Sequence, residues 1–120
     1  MRNFRELDVW KNGIALVKDV YRLIDGFPNT EKFGLSSQIS RCAISVPSNI
    51  AEGCSRESQK DFSRFLQIAL GSSYELETQL LISKELKFID ETEFYTFMKK
   101  LHTLQKGINS LKKYADYKIQ

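Results

Sequence analysis

The sequence predicts an all-α fold, an antiparallel up-and-down four-helix bundle. Three observations carry that reading. Apolar residues recur at helical spacing in four stretches, no period-2 run of strand-forming residues competes with them, and only 2 prolines and 6 glycines punctuate the 120 residues. Helices at approximately 6–25, 35–54, 58–87 and 91–117, joined by short connections, would pack as one bundle domain over residues 1–120. A chain of this length buries roughly two-thirds of the surface that its unfolded form exposes, enough to stand without metal or disulfide staples.

The first stretch carries two apolar lines. Leu7, Trp10, Ile14, Val17, Tyr21 and Ile24 follow the 3-4 spacing of a bundle seam, and Val9, Leu16, Val20 and Leu23 run beside them. At about 100° per residue the two lines cover nearly half the circumference, an arc wide enough for two packing neighbours. Asn3 and Glu6 resemble a capping box, and Gly26 followed by Pro28 makes a stop. The second stretch aligns Leu35, Ile39, Cys42, Val46 and Ile50 on one face. It also contains Pro47, which removes a backbone hydrogen bond and predicts a kink.

The third stretch opens on Ser58 as N-cap with Asp61 behind it, and its seam runs Phe62, Phe65, Leu66, Ala69, Ser73, Leu76, Leu80, Ser83. Gly71, Ser72 and Ser73 put small side chains mid-helix, where another helix can approach. The fourth is the most regular. Asp90 and Glu93 form a capping box, Ile89 staples onto Phe94, and Phe94, Phe97, Leu101, Leu104, Ile108, Leu111 and Ala115 keep a heptad register.

Hydrophobic residues make up 42% and charged residues 28%, the proportions of a globular chain and not of a disordered one. The opening Met1-Arg2-Asn3-Phe4-Arg5-Glu6 lacks the apolar core of a secretory signal, and no stretch reaches the roughly 18 apolar residues that cross a bilayer. Two cysteines, Cys42 and Cys54, are too few for a disulfide framework and lack metal-site spacing, so reduced thiols in a cytoplasmic protein are expected. The net charge of +3 is unevenly spread. Residues 94–120 hold six lysines and one acid, Asp116, which leaves the rest of the chain net negative.

No constellation names a catalyst. The single His102 sits among lysines without a partner at readable spacing, and Glu-x-x-His metal pairs, glycine-rich phosphate loops and nucleophile elbows are absent. No catalytic residue, metal or cofactor is therefore expected, and the chain reads as a non-enzyme. Glu75 and Glu77 flank Leu76 but diverge by about 200° on a helix, so they cannot share one site. Gln38, Arg41, Ser45, Asn49 and Glu52 form one polar stripe on the second helix, read as a structural hydrogen-bonded network with a small-ligand pocket as the alternative.

Two basic clusters remain. Lys99, Lys106 and Lys113 recur every seven residues at the position farthest from the seam of the last helix, flanked by Lys100 and Lys112. Positive charges spaced by about 10.5 Å along an outer ridge suit phosphates. Arg56, Lys60 and Arg64, near the start of the third helix, form the second cluster. With no base-reading motif beside either, contact with RNA or DNA would run through the phosphate backbone and be weakly sequence-specific.

Several motifs resemble a known family. The opening Phe4-x-x-Leu7-x-Val9-Trp10-Lys11 is followed by Phe27-Pro28-x-x-Glu31-x-Phe33-Gly34-Leu35-x-x-Gln38-Ile39 and Arg41. Next come Ser45-Val46-Pro47-x-Asn49-Ile50-Ala51-Glu52-Gly53 and Asp61-Phe62-x-Arg64-Phe65-Leu66-x-Ile68-Ala69-x-Gly71-Ser72-x-x-Glu75-Leu76-Glu77. This pattern resembles the four-helix bundle proteins encoded in intervening sequences of bacterial large-subunit ribosomal RNA genes, and the accessory proteins of diversity-generating retroelements look like relatives. The resemblance spans about residues 4–90, with Ser40 standing where the family often has a second arginine. It implies a ring-like homo-oligomer, a homopentamer, with nucleic-acid association and no enzymatic activity. The wide apolar arc of the first helix independently fits burial against another subunit. The expected function is a non-enzymatic oligomeric scaffold that associates with RNA or DNA. The alternative is a protein–protein interaction adaptor of a nucleic-acid-handling complex. Expected partners are other copies of the chain, nucleic acid and such a protein, and no membrane.

Overall fold

Residues 2–119 are described by a computed structural model, so the first and last residues of the expected 1–120 domain lie outside the described part. Four helices form: α1 (Asp8–Asp25), α2 (Leu35–Cys54), α3 (Gln59–Glu85) and α4 (Glu91–Tyr117), with short 3-10 turns at Phe4–Glu6 and Asn29–Glu31. Side-chain caps fix the starts of α3 and α4. Ser58 Oγ accepts the Asp61 N–H at 3.1 Å, and Asp90 Oδ2 accepts the Glu93 N–H at 3.3 Å, each satisfying a donor that the first turn leaves orphaned. At the start of the chain the cap works differently from expectation. Asn3 Oδ1 accepts from the Arg5 N–H at 3.2 Å and so caps the 3-10 turn, and α1 begins only after the extended residue Leu7.

Each helix runs opposite to its neighbours. Across α2 and α3, Gly53 lies against Phe62 and Phe65 while Ser45 meets Ser72 at 2.9 Å. Across α3 and α4, Ser63 meets Asp116 while Gln105 donates to Glu77 at 2.9 Å. Gly107 faces Val9, and Lys100 reaches Asp19 at 3.1 Å, between α4 and α1. Backbones approach closely around this circuit and not across its diagonals among the described residues, which gives a four-cornered bundle of 48 × 24 × 20 Å. Ile39, Ile50, Leu66, Leu76, Leu80, Leu101 and Ile108 have no exposed surface at its centre. Each such side chain contributes about 1.5–3 kcal/mol relative to remaining in water.

Helix α1 presents the less expected of its two apolar lines to the core. Val9, Gly13, Leu16 and Val20 are buried, whereas Ile14 is 41% and Tyr21 50% exposed, and Leu7, Trp10, Val17 and Ile24 are half-buried. The cause is local. A Cβ on Gly13 would lie 3.1 Å from Pro47 Cβ, so the proline ring occupies the room that glycine leaves. Helix α2 continues through Pro47, which is buried, from Leu35 to Cys54. In α3 the close approach is made by Ser72 and Ser73, while Gly71 faces open space.

Among the glycines, Gly53 has the least room for a side chain. A Cβ there would sit 2.8 Å from Phe65 Cβ and 3.3 Å from Phe62 Cδ1. Because Phe65 Cβ is tied to the α3 backbone, Gly53→Ala must push α2 and α3 apart. We expect it to cost about 1–2 kcal/mol net of alanine's better helix propensity. Urea denaturation measures this, and an unchanged midpoint would contradict the packing.

Candidate nucleic-acid interface

The outer face of α4 follows from its heptad register. With Leu101, Leu104 and Ile108 turned inward, Lys99, Lys106 and Lys113 project into solvent, and none of the three pairs with an acid among the described residues. The two flanking lysines are placed differently. Lys100 turns toward α1, its Nζ 3.1 Å from Asp19 Oδ2, and Asp19 also holds Arg22 at 3.2 Å. Lys112 is half-buried and donates to Asp116 Oδ2 at 2.8 Å, while Ser63 Oγ donates to Asp116 Oδ1. The Lys112 and Ser63 hydrogen bonds hold the Asp116 carboxyl below the ordinary carboxylate range. Of the five α4 candidates, three therefore carry uncompensated charge and two have a carboxylate partner.

Antiparallel pairing brings the start of α3 beside the end of α4. There Lys60, Arg64 and Lys112 line one surface recess of about 360 Å³, together with Ser63, Gln67 and Asp116. Arg56 and Arg64 both lie over the ring of Phe65, at 4.7 and 4.8 Å from its centroid. Their acidic neighbours stand off: Arg56 is 3.6 Å from Glu52 and Arg64 3.8 Å from Asp61, beyond hydrogen-bonding distance. Arg2 adds a third guanidinium. It stacks on Phe62 at 4.0 Å and donates to the Arg56 carbonyl at 3.1 Å. Reading the sequence for charge alone misses Arg2 and Phe65. The juxtaposed Phe62, Arg64 and Phe65 were the available signal.

The polar stripe of α2 divides. Ser45 and Asn49 form a local network, with Asn49 Nδ2 donating to the Ser45 carbonyl at 2.8 Å and to Ser45 Oγ at 2.9 Å, and Ser45 facing Ser72. Gln38, Arg41 and Glu52 are exposed; Arg41 donates to Ser37 Oγ on its own helix at 2.9 Å, and Glu52 faces Arg56. The five residues do not converge on one pocket. Glu77 receives Gln105 and stands 3.4 Å from His102 Nε2, whereas Glu75 is exposed on the other flank, so these carboxylates do diverge.

Both thiols are held away from reactivity. Burial, with the Glu75 charge second, pushes Cys42 up to about 11, and its Sγ donates to the Ser72 carbonyl at 3.1 Å. Burial also raises Cys54. Among the described residues no group of three or more His, Cys, Asp or Glu side chains is placed to hold a metal ion, and no helix is long and apolar enough to cross a membrane.

Comparison with known proteins places this geometry. The model of a family described as 23S rRNA-intervening sequence protein matches residues 5–110. A crystal structure of a protein of unknown function from the S23 ribosomal protein family of Bacteroides thetaiotaomicron is similar over 88% of this chain and 95% of that one, at 25% identity and a TM-score of 0.81. No curated protein matches the chain.

Proposed function

The chain belongs to the family of 23S rRNA-intervening sequence proteins, and from that premise we propose that it is a non-enzymatic, cytoplasmic, oligomeric scaffold that associates with RNA or DNA through the phosphate backbone. The observation that carries the reading is the exposed line Lys99, Lys106 and Lys113, without acidic partners among the described residues and on a face that no other described helix covers. Three charges at about 10.5 Å intervals attract a polyanion, and nothing beside them reads base edges. The likeness to accessory proteins of diversity-generating retroelements fits the same role.

Two apolar surfaces support assembly into a ring, a homopentamer on the family resemblance. Trp10, Ile14, Val17 and Ile44 border a groove of about 330 Å³ between α1 and α2. Ile68 and Ile82 lie 40% and 46% exposed on the outer side of α3, and Leu86, just past its end, is 54% exposed. Unlike faces on different helices are what a head-to-tail interface requires, and such an interface makes a ring when its rotation closes. Light scattering on the eluting protein should give a multiple of the 13.9 kDa chain, and affinity for generic RNA and DNA should fall steeply with salt. A 13.9 kDa monomer without salt-dependent binding would overturn the reading. A second reading, an adaptor in a nucleic-acid-handling complex, draws on Phe33, which is 88% exposed beside a recess lined by Tyr21, Phe27 and Pro28. A protein partner retained after nuclease treatment, with no direct nucleic-acid binding, would favour it.

A further inference from the structure

The structure assigns a phosphate-binding site to the end of the bundle where α3 begins and α4 ends. We propose that Arg56, Lys60 and Arg64 grip phosphate groups there, with the paired Lys112 and Asp116 as the far wall of the recess. Resting on the nucleic-acid reading above, this site is the anchor of the bound strand, and the lysine line of α4 extends it.

Order is the first reason. A lysine on an open helix face must be immobilised when it meets a phosphate, and it meets it as a point charge. The Arg56 and Arg64 guanidiniums are already laid on Phe65, one at 4.7 Å and the other at 4.8 Å from the ring centroid. Phe65 itself is 9% exposed, and its Cβ lies against Gly53 of α2, so the ring that carries them is held by the bundle. Less freedom is therefore lost when these two planar forks engage an anion.

Unused capacity is the second. Neither guanidinium donates a hydrogen bond within the described chain, because Glu52 and Asp61 stand at 3.6 and 3.8 Å. Two like charges on one ring also repel each other, and a bound anion would offset that repulsion. Phosphate oxygens match the guanidinium fork bidentately.

Convergence is the third. Lys60, Arg64 and Lys112 line a recess of about 360 Å³, with Ser63 and Gln67 on its wall. The one acid in it, Asp116, has both oxygens engaged, by Ser63 and by Lys112. The recess is thus a cationic hollow with its carboxylate already occupied. It is also continuous with the ridge. A straight helix drifts by about 20° per heptad against a seven-residue repeat, which carries the line from Lys99 through Lys106 to Lys113 toward α3 and this hollow. A strand seated at Arg64 can follow the lysines along α4.

The test separates the site from the function that contains it. Arg56→Lys combined with Arg64→Lys keeps both charges while removing the forks and the ring stacking. Affinity for a short single-stranded RNA should fall by about tenfold or more, with the salt slope retained, because as many phosphates are still neutralised. The single Lys106→Gln variant should instead flatten the slope by about one contact with a smaller loss. Inorganic pyrophosphate titrated into the unaltered protein should move the Arg56 and Arg64 Nε–Hε resonances, a readout that does not depend on any variant folding. If RNA fails to bind while pyrophosphate moves those resonances, the nucleic-acid reading falls and the phosphate site stands. If the double variant binds RNA as tightly as the parent, or pyrophosphate leaves both guanidiniums unmoved, the site is overturned.

Discussion

Replacing Lys99, Lys106 and Lys113 together with glutamine is expected to weaken binding to RNA and DNA of unrelated sequence on the order of a hundredfold near 0.1 M salt. The magnitude follows from counterion release: each neutralised phosphate contributes about 0.7–0.9 to the slope of log affinity against log salt. Removing three contacts should therefore lower that slope by about 2–3, and the loss should shrink as salt rises. The fold should be unaffected, because all three side chains project into solvent and pair with no described acid. Lys100→Gln and Lys112→Gln should cost less, since Asp19 and Asp116 already compensate those charges. Titrating fluorescent RNA and DNA across several salt concentrations reads both quantities. An unchanged slope in the triple variant would remove the ridge from the interface.

The contrast between Lys99 and Lys100 shows what sequence can and cannot reveal about this surface. A heptad register predicts which lysines stand farthest from the seam, and Lys99, Lys106 and Lys113 do stand in solvent. It does not predict that Lys100, one residue on, swings to Asp19, because that acid comes from a helix 81 residues away in sequence. Helix α4 was legible for the same reason: its seam is made of large apolar residues and its start is capped locally by Asp90. Helix α1 was not. Its buried line Val9, Gly13, Leu16, Val20 includes a glycine, which no count of apolar bulk registers, and the reason for it is Pro47 on a different helix. Arg56 and Arg64 could be read as charges, but their stacking on Phe65 depends on how the α2–α3 turn folds back.

The two lines of α1 make opposite predictions, and these can be measured on neighbouring residues. Leu16 is 2% exposed, and Leu16→Ala opens a cavity in the core; we expect a loss of about 3–5 kcal/mol, with the thermal midpoint falling by about 10 °C or more. Ile14 is 41% exposed beside the open groove, so Ile14→Asp should cost the isolated bundle only about 0.5–1 kcal/mol, chiefly through helix propensity. In an assembly that covers this groove, the same change places an unpaired carboxylate in an apolar contact. The variant should then elute as a folded monomer. If Ile14→Asp remains assembled, the groove between α1 and α2 is not where copies meet. If Leu16→Ala is as stable as the parent, the orientation of α1 is wrong. A further consequence links assembly to binding. A strand that crosses several subunits gains avidity from each, so Ile14→Asp should weaken RNA binding although Ile14 lies outside both basic clusters. An RNA affinity that survives monomerisation would instead mean that each bundle binds alone, through its own lysines.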